Sequence, residues 1–191
     1  MFKFWLETLI QYRRERFSWR LFGPVAAVLT LAAIPEPSRF YLSFPVILLM
    51  LFQFRFWDDL ADRDYDVIHH PCRVLCRCDG ASLFYWLVAA AGLASFLLLA
   101  MLDLSALVFL FLCGAAFLWY SGVPDRVRRT MVGRHVVLLK YPAFVWLTAR
   151  DHPPELFLTM SIVYVACAVY EVLHDRQSLE NSNEHRASDI H

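Results

Sequence analysis

Long apolar stretches separated by short polar ones organise this chain. Six runs stand out: Leu21–Pro35, Phe40–Phe54, Ala81–Leu102, Leu104–Val123, His135–Ala149 and Leu156–Tyr170. A bilayer core asks for roughly 20 apolar residues per helix. Several runs are shorter and reach that length only by drawing in their flanks. Backbone groups surrounded by lipid must bond internally, so the spans are helices. The pattern predicts an all-α fold, a polytopic transmembrane helix bundle of about six spanning helices over residues 21–175. Its turns are expected at Pro35-Glu36-Pro37-Ser38, at Asp103 and at Asp151-His152-Pro153-Pro154. Residues 1–20 read as an amphipathic helix, with Trp5, Leu9, Tyr12 and Arg16 at helical spacing. Such a helix lies in the membrane interface, or else forms a positive flank of the first span. Residues 176–191 are polar and are expected to be disordered.

Composition strengthens the membrane reading. The chain is 59% hydrophobic with a mean hydropathy of +0.45. A soluble domain is about half apolar, so the first partner of this chain is the lipid bilayer. Its formal net charge is zero, which gives no pull toward nucleic acid. The distribution of that charge orients the spans. Lys3, Arg13, Arg14, Arg16 and Arg20 precede the first run. Arg55, Arg63, Arg73 and Arg77 follow the second, and Arg126, Arg128, Arg129 and Arg134 follow the fourth. The opposite turns hold only Arg39 and Arg150. Positive residues gather on the cytosolic side. Both termini are therefore expected there, as in a multi-pass protein of a bacterial inner membrane. No cleavable signal precedes the first run, because aromatic and charged residues occupy the N-terminus.

The densest chemistry follows the second run, in Phe56-Trp57-Asp58-Asp59-Leu60-Ala61-Asp62-Arg63-Asp64-Tyr65-Asp66. On a helix Asp59, Asp62 and Asp66 form one stripe, and Asp58 and Asp62 are one turn apart. Like charges at that spacing repel unless a cation lies among them. Carboxylate oxygens suit Mg2+, which is typically held by one or two carboxylates plus substrate phosphates. Asp64 falls off the stripe and reads as exposed charge. Arg73 can meet a phosphate with a two-pronged hydrogen bond, or simply flank the membrane. Lys140, inside the fifth run, is either a lysine reaching out to the headgroups or a ligand facing an internal cavity.

These residues resemble the UbiA superfamily of intramembrane prenyltransferases. That family carries Asn/Asp-Asp-x-x-Asp-x-x-x-Asp after its second span, then a short Asn-x-Pro-x-Arg segment. Asp58-Asp59-x-x-Asp62-x-x-x-Asp66 and His70-Pro71-Cys72-Arg73 stand in those places. The family's Tyr-Ser-x-x-Pro-x-Arg is matched by Tyr120-Ser121-Gly122-Val123-Pro124-Asp125-Arg126. The resemblance implies transfer of a polyprenyl group from its diphosphate to an acceptor, often an aromatic ring, with Mg2+ as cofactor. It implies that Asp58, Asp59, Asp62, Asp66 and Asp175 hold the metal. Arg73, Arg126 and Lys140 would bind the diphosphate. Asp59, Asp62, Tyr120 and Lys140 would act in catalysis, and Trp57, Trp119 and Tyr120 offer faces for an allylic cation, although Trp119 reads better as an interface anchor.

The match is incomplete. The family's second acidic signature is met by Asp175 alone, with Ser178 and Ser182 where further aspartates belong. About three further helices of the family have no counterpart. The resemblance therefore admits a short enzyme completed by a homodimer, one half of a split enzyme with a second membrane subunit, or a non-catalytic subunit that binds prenyl lipid. Cys72, Cys76, Cys78, His69 and His70 also offer soft-metal ligands, at a spacing uncommon for zinc. A CDP-alcohol phosphotransferase reading fails, because Asp79-Gly80 lacks the rest of that signature.

Overall fold

The computed structural model describes residues 2–33, 40–78, 81–102 and 105–188. The side chains of residues 2–5, 81–83 and 174–188 lie outside that description, as do the expected turns at 35–38 and at Asp103. Among the described residues the chain is helical and contains no strand. Three helices are long and apolar enough to cross a membrane: Phe40–Ala61, Phe84–Met101 and Pro154–Leu173. The expected class, a bundle built on membrane-spanning helices, holds to that extent.

The chain opens with α1 (Phe2–Arg16) and α2 (Trp19–Ala33). Helix α3 (Phe40–Ala61) follows, then α4 (Arg63–His69) and a single 3-10 turn at Val74–Cys76. Next come α5 (Ala81–Met101) and α6 (Ala106–Gly122). The short α7 (Asp125–Arg128) and α8 (Met131–Leu138) lead to α9 (Lys140–Thr148) and α10 (Pro154–Ser188). Two of the expected runs, α2 and α6, make apolar helices of 15 and 17 residues. At 1.5 Å rise each is ~22–26 Å long, short of the ~30 Å hydrocarbon core. The run His135–Ala149 is divided at Leu139 between α8 and α9. Pro142 has no N–H to donate to Leu138, so the helical ladder is interrupted there. Leu139 bonds instead to Val136, in the tighter i→i−3 manner.

Helix α3 is the hub. It packs against α2 on one side and α5 on the other, and also meets α9. Val46, Ile47, Met50, Phe54 and Phe56 on it are almost wholly buried, as expected of a helix apolar on every face. The main core joins α2, α3, α9 and α10 through residues such as Leu29, Phe144, Leu147 and Leu156. A second cluster lies at the acidic end of α3. Tyr12 of α1, Phe56, Leu60, Val74, Leu75, Phe84 and Val88 close together there. Tyr12 is fully buried and meets Phe56 edge-on at 4.5 Å. The Glu15 carboxylate accepts a hydrogen bond from the Val74 backbone at 3.2 Å. Helix α1 is thus docked on α3 and on the loop beyond it. Helix α10 continues with helical backbone past Asp175 to Ser188, into the polar stretch expected to be disordered.

Candidate functional site

The four aspartates of the acidic segment are gathered at one end of the bundle, but each faces different partners. Asp59 is 6% exposed. It accepts hydrogen bonds from Tyr12 at 2.8 Å and from Arg16 at 2.7 and 3.2 Å, and Arg55 lies 3.3 Å away. Burial, and then the neighbouring Asp59 carboxylate, push the Tyr12 hydroxyl far above its ordinary pKa, so it remains a donor. Asp66 is 4% exposed and paired with Arg73. Asp58 accepts from the Lys140 ammonium through one oxygen and from the Tyr120 hydroxyl through the other. Asp62 is the open member, with its side chain 41% exposed. Arg129 and Arg128 stand 3.4 and 3.8 Å from it. Burial raises the Asp62 carboxyl above its usual range; Asp58 and Asp66 add to this and the two guanidiniums oppose it.

Beside Asp58 a cavity of about 740 Å3 runs between α3, α5 and α6. Gln53, Trp57 and Ala61 line it at one-turn intervals along α3. Val88, Gly92 and Phe96 of α5 and Phe109, Cys113 and Phe117 of α6 supply half of the rest. Tyr120 both lines the cavity and bonds to Asp58, which also accepts from Lys140, so the polar rim at that end is Tyr120 with the Asp58–Lys140 pair behind it. The Trp57 and Tyr120 rings lie 5.6 Å apart at that rim. Tyr85, Leu93, Leu110 and Phe117 line the cavity and are themselves half-exposed or more, so it is a cleft open at its side. The volume is within the range of small-molecule sites, which are apolar with a few placed polar groups.

The cations around the rim come from four parts of the chain. Arg16 ends α1, Arg55 is on α3, Lys140 begins α9, and Arg128 and Arg129 sit at the joint between α7 and α8. That joint depends on Gly133. A β-carbon there would come within 2.3 Å of the Arg128 carbonyl oxygen and 2.5 Å of that of Val127. Thr130 caps α8 by accepting from the Gly133 N–H at 3.2 Å. The arrangement turns Arg128 inward to Asp125 and to the Ala61 carbonyl, with its side chain 8% exposed. The Arg129 guanidinium lies 3.3 Å over the Tyr65 ring. Among the described residues, Nε of Arg55, of Arg128 and of Arg129 are buried without a hydrogen-bond acceptor, and Nη2 of Arg129 has only the Asp62 carboxylate, at 3.4 Å. Unused guanidinium donors at a polar rim are suited to an anion.

Of the residues singled out in the sequence, Asp58, Tyr120 and Lys140 come together at the cavity rim, and Asp62 stands one turn on. Arg73 is engaged by Asp66. Arg126 is exposed on α7, and Arg128, two residues on, is the arginine that reaches the site. Asp175 lies outside the described side chains. Arg16, Tyr12, Arg128 and Arg129 were not legible as site residues, since their partners are remote in the chain. Arg55 carried a local signal, one turn before Asp59. In the loop, Cys78 is buried against the Val74 carbonyl while Cys72 is exposed. Among the described residues no three His, Cys, Asp or Glu side chains converge as a metal centre.

The donor chemistry still bears on Mg2+. Asp59 and Asp66 have their charge met by guanidiniums. Asp58 has one oxygen on the Lys140 ammonium and the other on the Tyr120 hydroxyl, so Asp62 is the open carboxylate of the four, and one or two carboxylates are what Mg2+ takes when phosphate oxygens complete its shell. Comparison with protein-family models, with curated proteins and with solved structures finds no match.

Proposed function

We propose that this chain is a multi-pass, membrane-embedded prenyltransferase similar to the UbiA superfamily, moving a polyprenyl group from its diphosphate to an acceptor. The carrying observation is the apolar cavity that ends at the Tyr120–Asp58–Lys140 rim. A prenyl chain is apolar along its length and multiply charged at one end. A cleft open to lipid along its side and polar at one end matches that chemistry. In this reading α2, α6 and the α8–α9 pair complete about six crossings together with the three long helices. The acidic end and both termini face the cytosol.

The residues divide the work. Lys140 and the unused donors of Arg128 and Arg129 take the diphosphate oxygens as charge-assisted hydrogen bonds. Asp58 and Asp62 would hold Mg2+, which when bound supplies Lewis-acid neutralisation of the diphosphate. The allylic C–O bond breaks and diphosphate departs with the electron pair. The allylic centre is left beside the Trp57 and Tyr120 rings, whose faces favour positive charge. The acceptor forms the new bond and loses a proton. The apolar wall excludes water that would otherwise capture the cation. Asp59 and Asp66 serve as framework: they fix α1, α3 and the Arg73 loop around the rim.

Incubating the protein in lipid nanodiscs with labelled geranyl, farnesyl and geranylgeranyl diphosphates, with and without Mg2+, tests this. Mg2+-dependent binding by wild type, lost in Asp62→Asn, is expected. Equal behaviour of the two proteins would remove the reading.

A further inference from the structure

Helix α1 has two sides of different chemistry. Tyr12 and Arg16, whose spacing helps mark the helix as amphipathic, are turned inward onto Asp59. Thr8, one turn before Tyr12, is buried beside Cys78. That side is occupied by protein and faces no lipid.

The outward side is a second set of residues. Leu6, Ile10, Arg13 and Arg14 follow at i, i+4, i+7 and i+8, away from Tyr12. Leu6 and Ile10 are 47% and 40% exposed, and both arginines are exposed. Helix α2 then opens with Trp19, 56% exposed, and the exposed Arg20. The side chains of Arg13, Arg14 and Arg20 make no ion pair or hydrogen bond among the described residues. Of the two acids in α1, Glu15 accepts from the Val74 N–H, and Glu7 is left against three guanidiniums.

The elbow that joins the helices is held in place. The buried Phe17 ring stacks on Phe22 at 4.2 Å and meets Phe52 edge-on at 5.3 Å. The Trp19 ring meets Phe44 edge-on at 6.3 Å. A helix face made only for water would be polar throughout. This one sets aliphatic side chains and an indole beside guanidiniums. The edge of a leaflet presents the matching pair, acyl and glycerol carbons next to phosphodiesters. A guanidinium takes phosphate oxygens through two parallel hydrogen bonds, and an indole sits well at headgroup depth.

We propose that the outward face of the α1–α2 elbow is a docking site for acidic phospholipid. Arg13, Arg14 and Arg20 take the phosphodiester headgroups, and Leu6, Ile10 and Trp19 rest among the adjoining glycerol and acyl carbons. Charge complementarity carries the assignment, since the cytosolic leaflet is negative and these three cations have no protein partner. The site needs the membrane placement of the long helices and is independent of the prenyl-transfer reading. A lipid bound there also holds α1 against Asp59 through Tyr12 and Arg16.

The test titrates the full chain, in an uncharged detergent, with dioctanoylphosphatidylglycerol and with dioctanoylphosphatidylcholine, and reads bound lipid by native mass spectrometry. Wild type is expected to bind the phosphatidylglycerol at least about tenfold tighter. Arg13→Gln, Arg14→Gln and Arg20→Gln together are expected to remove that preference, and Arg150→Gln, at the other end of the bundle, to keep it. Equal affinities in wild type, the result expected if the elbow instead meets an acidic protein, would overturn the assignment. So would a preference that survives the triple substitution. Leu6→Gln with Ile10→Gln is expected to weaken phosphatidylglycerol binding at least about threefold, and decides the matter if the triple variant does not fold; unchanged binding there also overturns it. Soluble glycerophosphate that displaced the lipid at equal concentration would assign the arginines to a free anion and contradict the proposal.

Discussion

Asp58 and Asp59 are adjacent in the chain and sit in contrasting surroundings. Asp59 turns toward α1, where Tyr12, Arg16 and Arg55 take its oxygens. Asp58 turns toward α6 and α9, where Tyr120 and Lys140 meet it at the cavity rim. The same division recurs one and two turns on. Asp62 is half-open beside Arg128 and Arg129, while Asp66 is buried on Arg73. An aspartate-rich motif is therefore two sets of carboxylates. One set ties the N-terminal helix and the following loop to α3. The other lies toward the apolar cleft, with Asp58 held by Tyr120 and Lys140 and Asp62 half-open.

The largest expected effect comes from breaking the framework set. Asp59→Ala leaves a buried tyrosine hydroxyl and two guanidiniums without their acceptor, a loss of about 3–5 kcal/mol by the usual cost of orphaning a buried pair. Chemical unfolding in mild detergent, followed by circular dichroism, reads it directly. Gly133→Ala comes next. Its β-carbon cannot fit 2.3 Å from the Arg128 carbonyl, so the α7–α8 joint must shift at about 1–3 kcal/mol, with weaker prenyl diphosphate binding. Gly114→Ala, in the middle of α6, is its control: nothing lies within 4 Å of that β-carbon, so no clash arises and the helix should gain about 0.5–1 kcal/mol.

Asp62→Asn reverses the profile of Asp59→Ala. Its stability should stay within about 1 kcal/mol of wild type, since its ion pairs are long and half-exposed. Its Mg2+-dependent affinity for farnesyl diphosphate should fall at least about tenfold, as measured by equilibrium titration. The smallest expected effect is that of chelation on the fold. Removing divalent ions with EDTA should leave the unfolding midpoint unmoved while abolishing prenyl diphosphate binding, because protein cations compensate the framework carboxylates. A midpoint that fell on chelation would show that the two sets are not separate.

The helical class and the membrane-length runs were legible because apolar periodicity and length are local properties. Where the run from His135 to Ala149 breaks was legible in principle, since Pro142 is visible in the sequence and removes one ladder bond. The acidic segment lies together at one end of the bundle, and Tyr120 and Lys140, far from it in the chain, meet it there through Asp58. The division of labour among the aspartates was hidden. Adjacent residues on a helix are 100° apart, and which helix each one meets is decided by tertiary packing. Tyr12 and Asp59 are 47 residues apart, and Lys140 and Asp58 are 82 apart. The choice of Arg128 over Arg126 turns on the Gly133 joint, which no spacing rule encodes. A single polar residue in an apolar run, as Gln53 is, carries no pattern.

The most direct test is photolabelling with a prenyl diphosphate whose tail carries a benzophenone, followed by peptide mapping. The cleft reading predicts Mg2+-dependent labels on the cavity faces of α5 and α6, around Ala89, Leu93 and Phe117, reduced in Asp62→Asn. Labels confined to the outer face of α10, or indifferent to both Mg2+ and Asp62, would contradict it.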